Sequence, residues 1–327
     1  MTEAVRRSAR AFGIKATLSV LVLSGLFFAV GLQEVGNTLT SLEAIMILYV
    51  SPIVLAQVLV VNYRWWIISH GVGVTVSFRR LFEIQSTSTL LGAFLPTSLG
   101  ISALRAWFIY REGVPLSKAV SSILIDRALL TAVLITMTVA TQPILFLWSM
   151  DRWQGSFVSW LLPVVIGLVL IALCLVLVLS NPRLLNAWGA IRKIARDARI
   201  FLSQPRRLVL ALTSAVVAQL LMFIVAFMIG RGLGIDLSLI NYLIVMPSVA
   251  LIASIPVSLG GWGIREGAMV AGFMLFGVPP EKSLLMGVIV GLVMLAGMLP
   301  GGALWLMERN RATLNAVRTA EIETRGG

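Results

Sequence analysis

Apolar runs long enough to cross a bilayer dominate this chain and leave few folds open to it. One crossing of the hydrocarbon core takes roughly 20 mostly apolar residues, and such runs are read at about 17–32, 44–68, 119–141, 157–179, 208–229 and 283–307. Six crossings consume most of the 327 residues, so no second, soluble domain fits. Composition agrees: 58% of the residues are hydrophobic, 12% are charged, and the mean hydropathy is +0.97. A soluble chain is nearer roughly half apolar and a quarter charged. The expected fold is an all-α polytopic membrane protein, a single integral membrane domain over residues 1–327.

Charge placement sets the sidedness. The chain carries 26 Lys and Arg against 14 Asp and Glu. Arg6, Arg7, Arg10 and Lys15 precede the first run, the profile of a segment inserted with its N-terminus in the cytoplasm. A cleaved signal peptide ending near Ala29-Val30-Gly31 is the alternative, but the basic loops alternate correctly only if the segment stays. The cytoplasmic side then receives the N-terminal flank, residues 64–118, residues 180–207 and the tail at 308–327. Those regions, with Arg127 just inside the third span, hold every basic residue except Arg152, Arg231, Arg265 and Lys282. Loop bias therefore explains the net charge of +12, and nucleic acid is not an expected partner.

Several chemistries are excluded. Cys174 and His70 each stand alone, which removes disulfide frameworks, thiolate clusters and sites needing two His ligands. No Gly-rich loop ends in Gly-Lys-Ser/Thr and no His-Glu-x-x-His occurs, so nothing resembles an ATPase or a zinc hydrolase. No metal, cofactor or catalytic residue is expected, and the chain is read as a non-enzyme.

The segment at about 181–207 carries Arg183, Arg192, Lys193, Arg196, Arg199, Arg206 and Arg207 against Asp197 alone. Leu184, Trp188, Ile191, Ala195, Ala198 and Phe201 recur at helical spacing, which predicts an amphipathic helix lying at the headgroup level with its basic face toward anionic lipid. Trp65, Trp66, Trp148, Trp153, Trp160, Trp262 and Trp305 fall near predicted span ends and read as an aromatic belt. Gly287, Gly291, Gly297 and Gly301 give two small-xxx-small steps, a signature of close helix packing.

Two further apolar stretches match each other. The first reads Pro96-Thr97-Ser98-Leu99-Gly100, then Arg105, Gly113-Val114-Pro115 and Lys118. The second reads Pro256-Val257-Ser258-Leu259-Gly260, then Arg265, Gly277-Val278-Pro279 and Lys282. Spacing is identical from Pro to Arg, which points to an internal duplication with repeat one at about 15–141 and repeat two at about 157–307. Pro-x-Ser-x-Gly within an apolar stretch ends one helix and starts another. Each stretch then forms a broken re-entrant hairpin against the bundle interior, where alone irregular backbone is tolerated at membrane depth. Two spans precede the first hairpin and five precede the second, so the repeats are inverted. The competing arrangement has about eight full spans.

Helix N-termini at such breaks offer unpaired N–H groups, and Ser98, Gly100, Ser258 and Gly260 shape them. Arg105 and Arg265, each five residues beyond the Gly, add a positive fork suited to phosphate or carboxylate. Asp126, Arg127 and Glu266 are the accompanying charges. Asp126 and Glu266 read as counter-charges or as proton carriers for coupling; in the competing reading Arg105 pairs with Asp126, and Arg265 pairs with Glu266 or snorkels to the surface. Adjacent residues on a helix face different ways, so each is expected to need its own partner.

The stretch Ile255-Pro256-Val257-Ser258-Leu259-Gly260-Gly261-Trp262-Gly263-Ile264-Arg265-Glu266-Gly267-Ala268, with the first-half Leu95-Pro96 to Arg105 and Asp126-Arg127, resembles the lysylphosphatidylglycerol synthase transmembrane-region family. The resemblance covers about residues 10–310. Members often carry Glu-Arg where this chain has Asp126-Arg127. The family includes the flippase domain of the bacterial multiple peptide resistance factor, so the resemblance implies a lipid-translocating fold in a bacterial cytoplasmic membrane. No synthase domain follows the last span before Gly327, so lipid aminoacylation is not expected. The expected function is a lipid flippase for anionic or lipid-linked phosphate headgroups. The alternative is a non-transporting subunit that recruits a lipid-modifying enzyme such as a glycosyltransferase through the 181–207 helix; a small-anion transporter ranks third. Expected partners are membrane lipids, with a homo-oligomer or such an enzyme as further candidates.

Overall fold

The computed structural model describes residues 44–93, 98–150, 188–254 and 263–307. Every regular element among them is a helix: α1 Ala44–Gly71, α2 Phe78–Gly92, α3 Ser98–Arg111, α4 Leu116–Met150, α5 Trp188–Leu202, α6 Pro205–Gly232, α7 Leu239–Ala253, α8 Ile264–Met274 and α9 Pro280–Ala296. After a turn at Gly297-Met298 the last helix resumes, so its apolar run covers Pro280–Met307. The all-helical expectation holds. Four helices are long and apolar enough to span: Leu48–Gly71, Leu116–Thr141, Pro205–Gly232 and Pro280–Met307. They coincide with four of the six expected runs; those at 17–32 and 157–179, and the tail at 308–327, lie outside the described residues.

Both repeated stretches form pairs of short, mutually packed helices, α2 with α3 and α7 with α8. At 1.5 Å per residue each such helix is only about 16–23 Å long, short of the roughly 30 Å hydrocarbon core. Ser77 caps α2 by accepting from the Arg80 N–H at 3.3 Å. Gly113 and Gly277, at φ +83° and +74°, close the two pairs in the left-handed region that glycine enters freely, and Pro115 and Pro279 lead into α4 and α9. The repeated Gly-Val-Pro block thus builds the same turn twice.

Contacts show which ends share a face. Gln204 Nε2 donates to the Gly71 carbonyl at 3.0 Å, Phe201 packs on Gly71, and Lys118 pairs with Asp197. The end of α1 and the starts of α4 and α6 therefore gather around α5. The first hairpin's open ends lie here too, tied by Arg80 Nε donating to Glu112 Oε1 at 2.9 Å. At the other face Lys282 Nζ donates to the Gly234 carbonyl at 3.0 Å, joining the end of α6 to the start of α9. The second hairpin opens on that side, where Tyr242 packs against Gly230 and its ring centre lies 4.8 Å from that of Phe273.

Two cores result. One gathers Trp65, Ile68, Leu81, Ile84, Ile109 and Phe201 around the first hairpin. The other gathers Val54, Phe223, Tyr242, Met246, Met269 and Phe273 around the second. The amphipathic helix exists as α5, but its apolar edge faces protein: Phe201 and Asp197 are buried, while Arg192, Lys193, Arg196 and Arg199 are exposed. Trp65 is fully buried, which removes it from the expected aromatic belt: α1 continues past it to Gly71 and carries it into the core.

Phe201→Ala should leave a cavity and cost about 3–5 kcal/mol. With its hold on Gly71 gone, α5 should be cut at Arg192, Lys193, Arg196 and Arg199 markedly faster by trypsin, while the rest of the detergent-solubilised protein stays resistant.

Candidate functional site

The first hairpin packs against a buried cluster of charge from three helices. Arg64 of α1 and Asp126 of α4 form a two-pronged ion pair, Nε to Oδ1 at 2.7 Å and Nη2 to Oδ2 at 3.3 Å, with side chains 3% and 6% exposed. Arg105 of α3 is 9% exposed; its guanidinium carbon lies 5.2 Å from the centre of the Trp65 ring. Its Nε has no hydrogen-bond partner among the described residues. Asp126 attracts Arg105 from a distance, while Arg64 and the half-buried Arg127 repel it. Asp126 is thus committed to Arg64 and not to Arg105, and the cluster holds more positive charge than its one carboxylate balances.

In the second half Arg265 and Glu266 pair directly, as one of the two sequence readings has it, although neighbours on a helix are expected to need separate partners. Glu266, fully buried, accepts from the Gly263 N–H at 2.6 Å through Oε2 and from Arg265 Nε at 3.0 Å through Oε1. Capping the helix start turns the carboxylate back toward the turn from which Arg265 emerges. The small-residue stripe on α9 makes room for the pair. A Cβ on Gly291 would lie 2.1 Å from Arg265 Nη2, and one on Gly287 3.2 Å from Glu266 Cγ. Those glycines therefore admit a charged pair to the helix surface as well as bringing helices close.

The two hairpins border one cavity. A cavity of about 150 Å³ is bounded by Thr89, Ala93 and Ile101 from the first and Arg265 from the second, with Gly291, Met294 and Met298 of the last span as its wall. Ser98 is the first residue of α3 and Gly100 lies in its first turn. Ser258 and Gly260 lie outside the described residues, so the helix-start anion site expected there is undescribed. Arg105 and Arg265 do not share one site: the first stacks on Trp65, the second borders the cavity.

Sequence reasoning missed α2. Gln85, Ser86, Thr87 and Ser88 are successive and buried, and each has a side-chain oxygen without a hydrogen-bond partner among the described residues. Successive helical residues point all round the axis, so this helix is enclosed yet polar on every side. The signal was the run Glu83-Ile84-Gln85-Ser86-Thr87-Ser88-Thr89, nearly devoid of apolar residues beside an apolar tip; assigning 64–118 to the cytoplasm hid it. Arg64 was missed for the same reason. Glu83 is held by Arg79 Nε at 3.1 Å and Arg80 Nη1 at 2.8 Å. Burial works against the Arg80 charge, but Glu83 and Glu112 outweigh it and raise its pKa.

Asp126→Ala strands a buried arginine and should lower stability by about 3–5 kcal/mol. Arg64→Met combined with Asp126→Leu should recover most of that in thermal unfolding in detergent. A single-mutant loss below about 1 kcal/mol, the usual worth of an exposed pair, would show that the pair is not structural.

No match appears among curated proteins or among solved structures. A family model described as the lysylphosphatidylglycerol synthase TM region matches residues 14–302, a stretch that contains both hairpins and the charged cluster. This membrane protein belongs to the lysylphosphatidylglycerol synthase TM region family.

Proposed function

We propose that the protein is a lipid transporter, and not an enzyme, that moves anionic or lipid-linked phosphate headgroups across a bacterial cytoplasmic membrane. The observation that carries this reading is Arg105: a guanidinium buried among membrane-spanning helices, with an Nε that has no partner among the described residues and with the nearby carboxylate already bound to Arg64. A desolvated cation with no counter-ion is costly, and a bound anion relieves that cost. Family membership supports a role in lipid handling.

In this reading six spans and two re-entrant hairpins form an inverted repeat, with both termini cytoplasmic. The short paired helices and their opening on opposite faces support it. A headgroup passes from the Arg105 cluster along the polar α2 to the cavity beside Arg265 while its tails stay in lipid. Glu266 occupies Arg265 until the headgroup displaces it. Ser98, Gly100, Ser258 and Gly260 shape the breaks, and Arg127 adds to the positive field.

A second reading rests on α5, whose exposed Arg192, Lys193, Arg196 and Arg199 offer a docking face for a lipid-modifying enzyme. Neutralising these four residues separates the two, since a recruiting subunit then fails and a transporter still translocates.

In proteoliposomes with labelled anionic and polyprenyl-phosphate lipids, wild type should move one class selectively. Arg105→Ala should slow that movement roughly 10- to 100-fold, the worth of a hydrogen bond to a charged group, with the protein still monodisperse. No movement of any lipid by folded protein, with or without an imposed proton gradient, would overturn the transporter reading.

A further inference from the structure

Antiparallel packing sets the depth of each residue in the first hairpin. Gly92 meets Ile101 near the tip, and Arg80 meets Glu112 at the open end. One helical turn inward from Gly92 and Ile101 brings Ser88 level with Arg105. The next turn brings Ile84 level with Ile109, and both belong to the core that contains Trp65. Ser88 of α2 is therefore level with Arg105 of α3, and Trp65 of α1 lies under the Arg105 guanidinium.

Each of the three is at least nine-tenths buried and each carries a polar atom without a partner among the described residues: Ser88 Oγ, Arg105 Nε and Trp65 Nε1. An indole N–H and a guanidinium can only donate, and a serine hydroxyl donates readily. The ring bearing that N–H is the one over which the guanidinium carbon sits at 5.2 Å. Buried water satisfies neutral groups, but it does not neutralise a cluster in which, among the described residues, Asp126 is the one carboxylate acting on Arg105 against the charges of Arg64 and Arg127.

We infer that Trp65, Ser88 and Arg105 form a buried oxyanion site for a tetrahedral phosphate group, with the Trp65 N–H and the Ser88 hydroxyl as its specificity-determining donors. The inference rests on the reading of Arg105 as an anion receptor and extends it. Three donors carried by three different helices suit the several oxygens of a phosphate better than the two of a planar carboxylate. Phosphate oxygens accept several charge-assisted hydrogen bonds at once. The source of the phosphate is a lipid headgroup or the free ion.

The test is calorimetric titration of the full chain in a maltoside detergent, which carries no phosphate, with three probes: inorganic phosphate, a short-chain phosphatidic acid and acetate. Trp65→Phe keeps the ring under Arg105 and removes the N–H; Ser88→Ala removes only the hydroxyl. Phosphate-bearing probes should bind more tightly than acetate, and each substitution should weaken them roughly tenfold. Binding of the lipid probe alone, weakened in both variants, supports the site with a headgroup as its source. Binding of inorganic phosphate alone, weakened likewise, supports the site and overturns the lipid reading. Loss of binding in Arg105→Ala with Trp65→Phe and Ser88→Ala unaffected would overturn the three-donor site and leave the anion receptor standing. Binding indifferent to Arg105→Ala, or no binding of either phosphate probe, would overturn both.

Discussion

Asp126 has one carboxylate, and it is bound to Arg64 while Arg105 lies buried nearby, repelled by the charges of Arg64 and Arg127. The ion pair it forms with Arg64 engages both carboxylate oxygens at once. This joins α1 to α4, and the first hairpin packs against both helices. Because the carboxylate is used there, Arg105 is left to an aromatic face and an unfilled hydrogen-bonding position. Stability and proposed function are thus coupled: the contact that holds the first half together is what leaves it short of negative charge.

The second half resolves the same problem differently. Arg265 and Glu266 neutralise one another on a single helix turn, and the surface of α9 is pared to glycine to let them lie flat. The same sequence element, repeated, therefore yields a cation without a carboxylate in one copy and a pre-paired cation in the other. Both hairpins border a cavity whose wall is the last span, which also reaches the first hairpin through Ser86 against Gly301 and Phe108 against Trp305. In the proposed transport, two inequivalent arginines suit stepwise transfer better than two identical ones.

Much of the architecture was legible in the residues. Four spans appear where apolar length required them, and the helices on either side of the repeated stretches end at Gly92 and Ala253 and begin at Ser98 and Ile264. The Gly-Val-Pro blocks fold into matching left-handed turns. Backbone chemistry explains why: an N–H or C=O without a partner is prohibitive in hydrocarbon, so breaks occur only where Pro and Gly force them and only against protein. The basic stripe at 188–202 was likewise readable as a helix, since amphipathic periodicity is local.

Pairing was not legible. Nothing local says that Asp126 reaches Arg64, 62 residues away, and not Arg105, or that Trp65 turns inward and not toward an interface belt. Span boundaries drawn from hydropathy stopped α1 at about residue 68 and placed the polar run of α2 in the cytoplasm, which hid Ser86 and Ser88 from notice. The sequence by itself determined a helical membrane protein with a duplicated Gly-Val-Pro turn, because hydropathy, proline and glycine act through the chain's own backbone. Which arginine keeps a carboxylate and which lacks one was decided only in the tertiary structure, because charge compensation depends on distances between helices that are far apart along the chain.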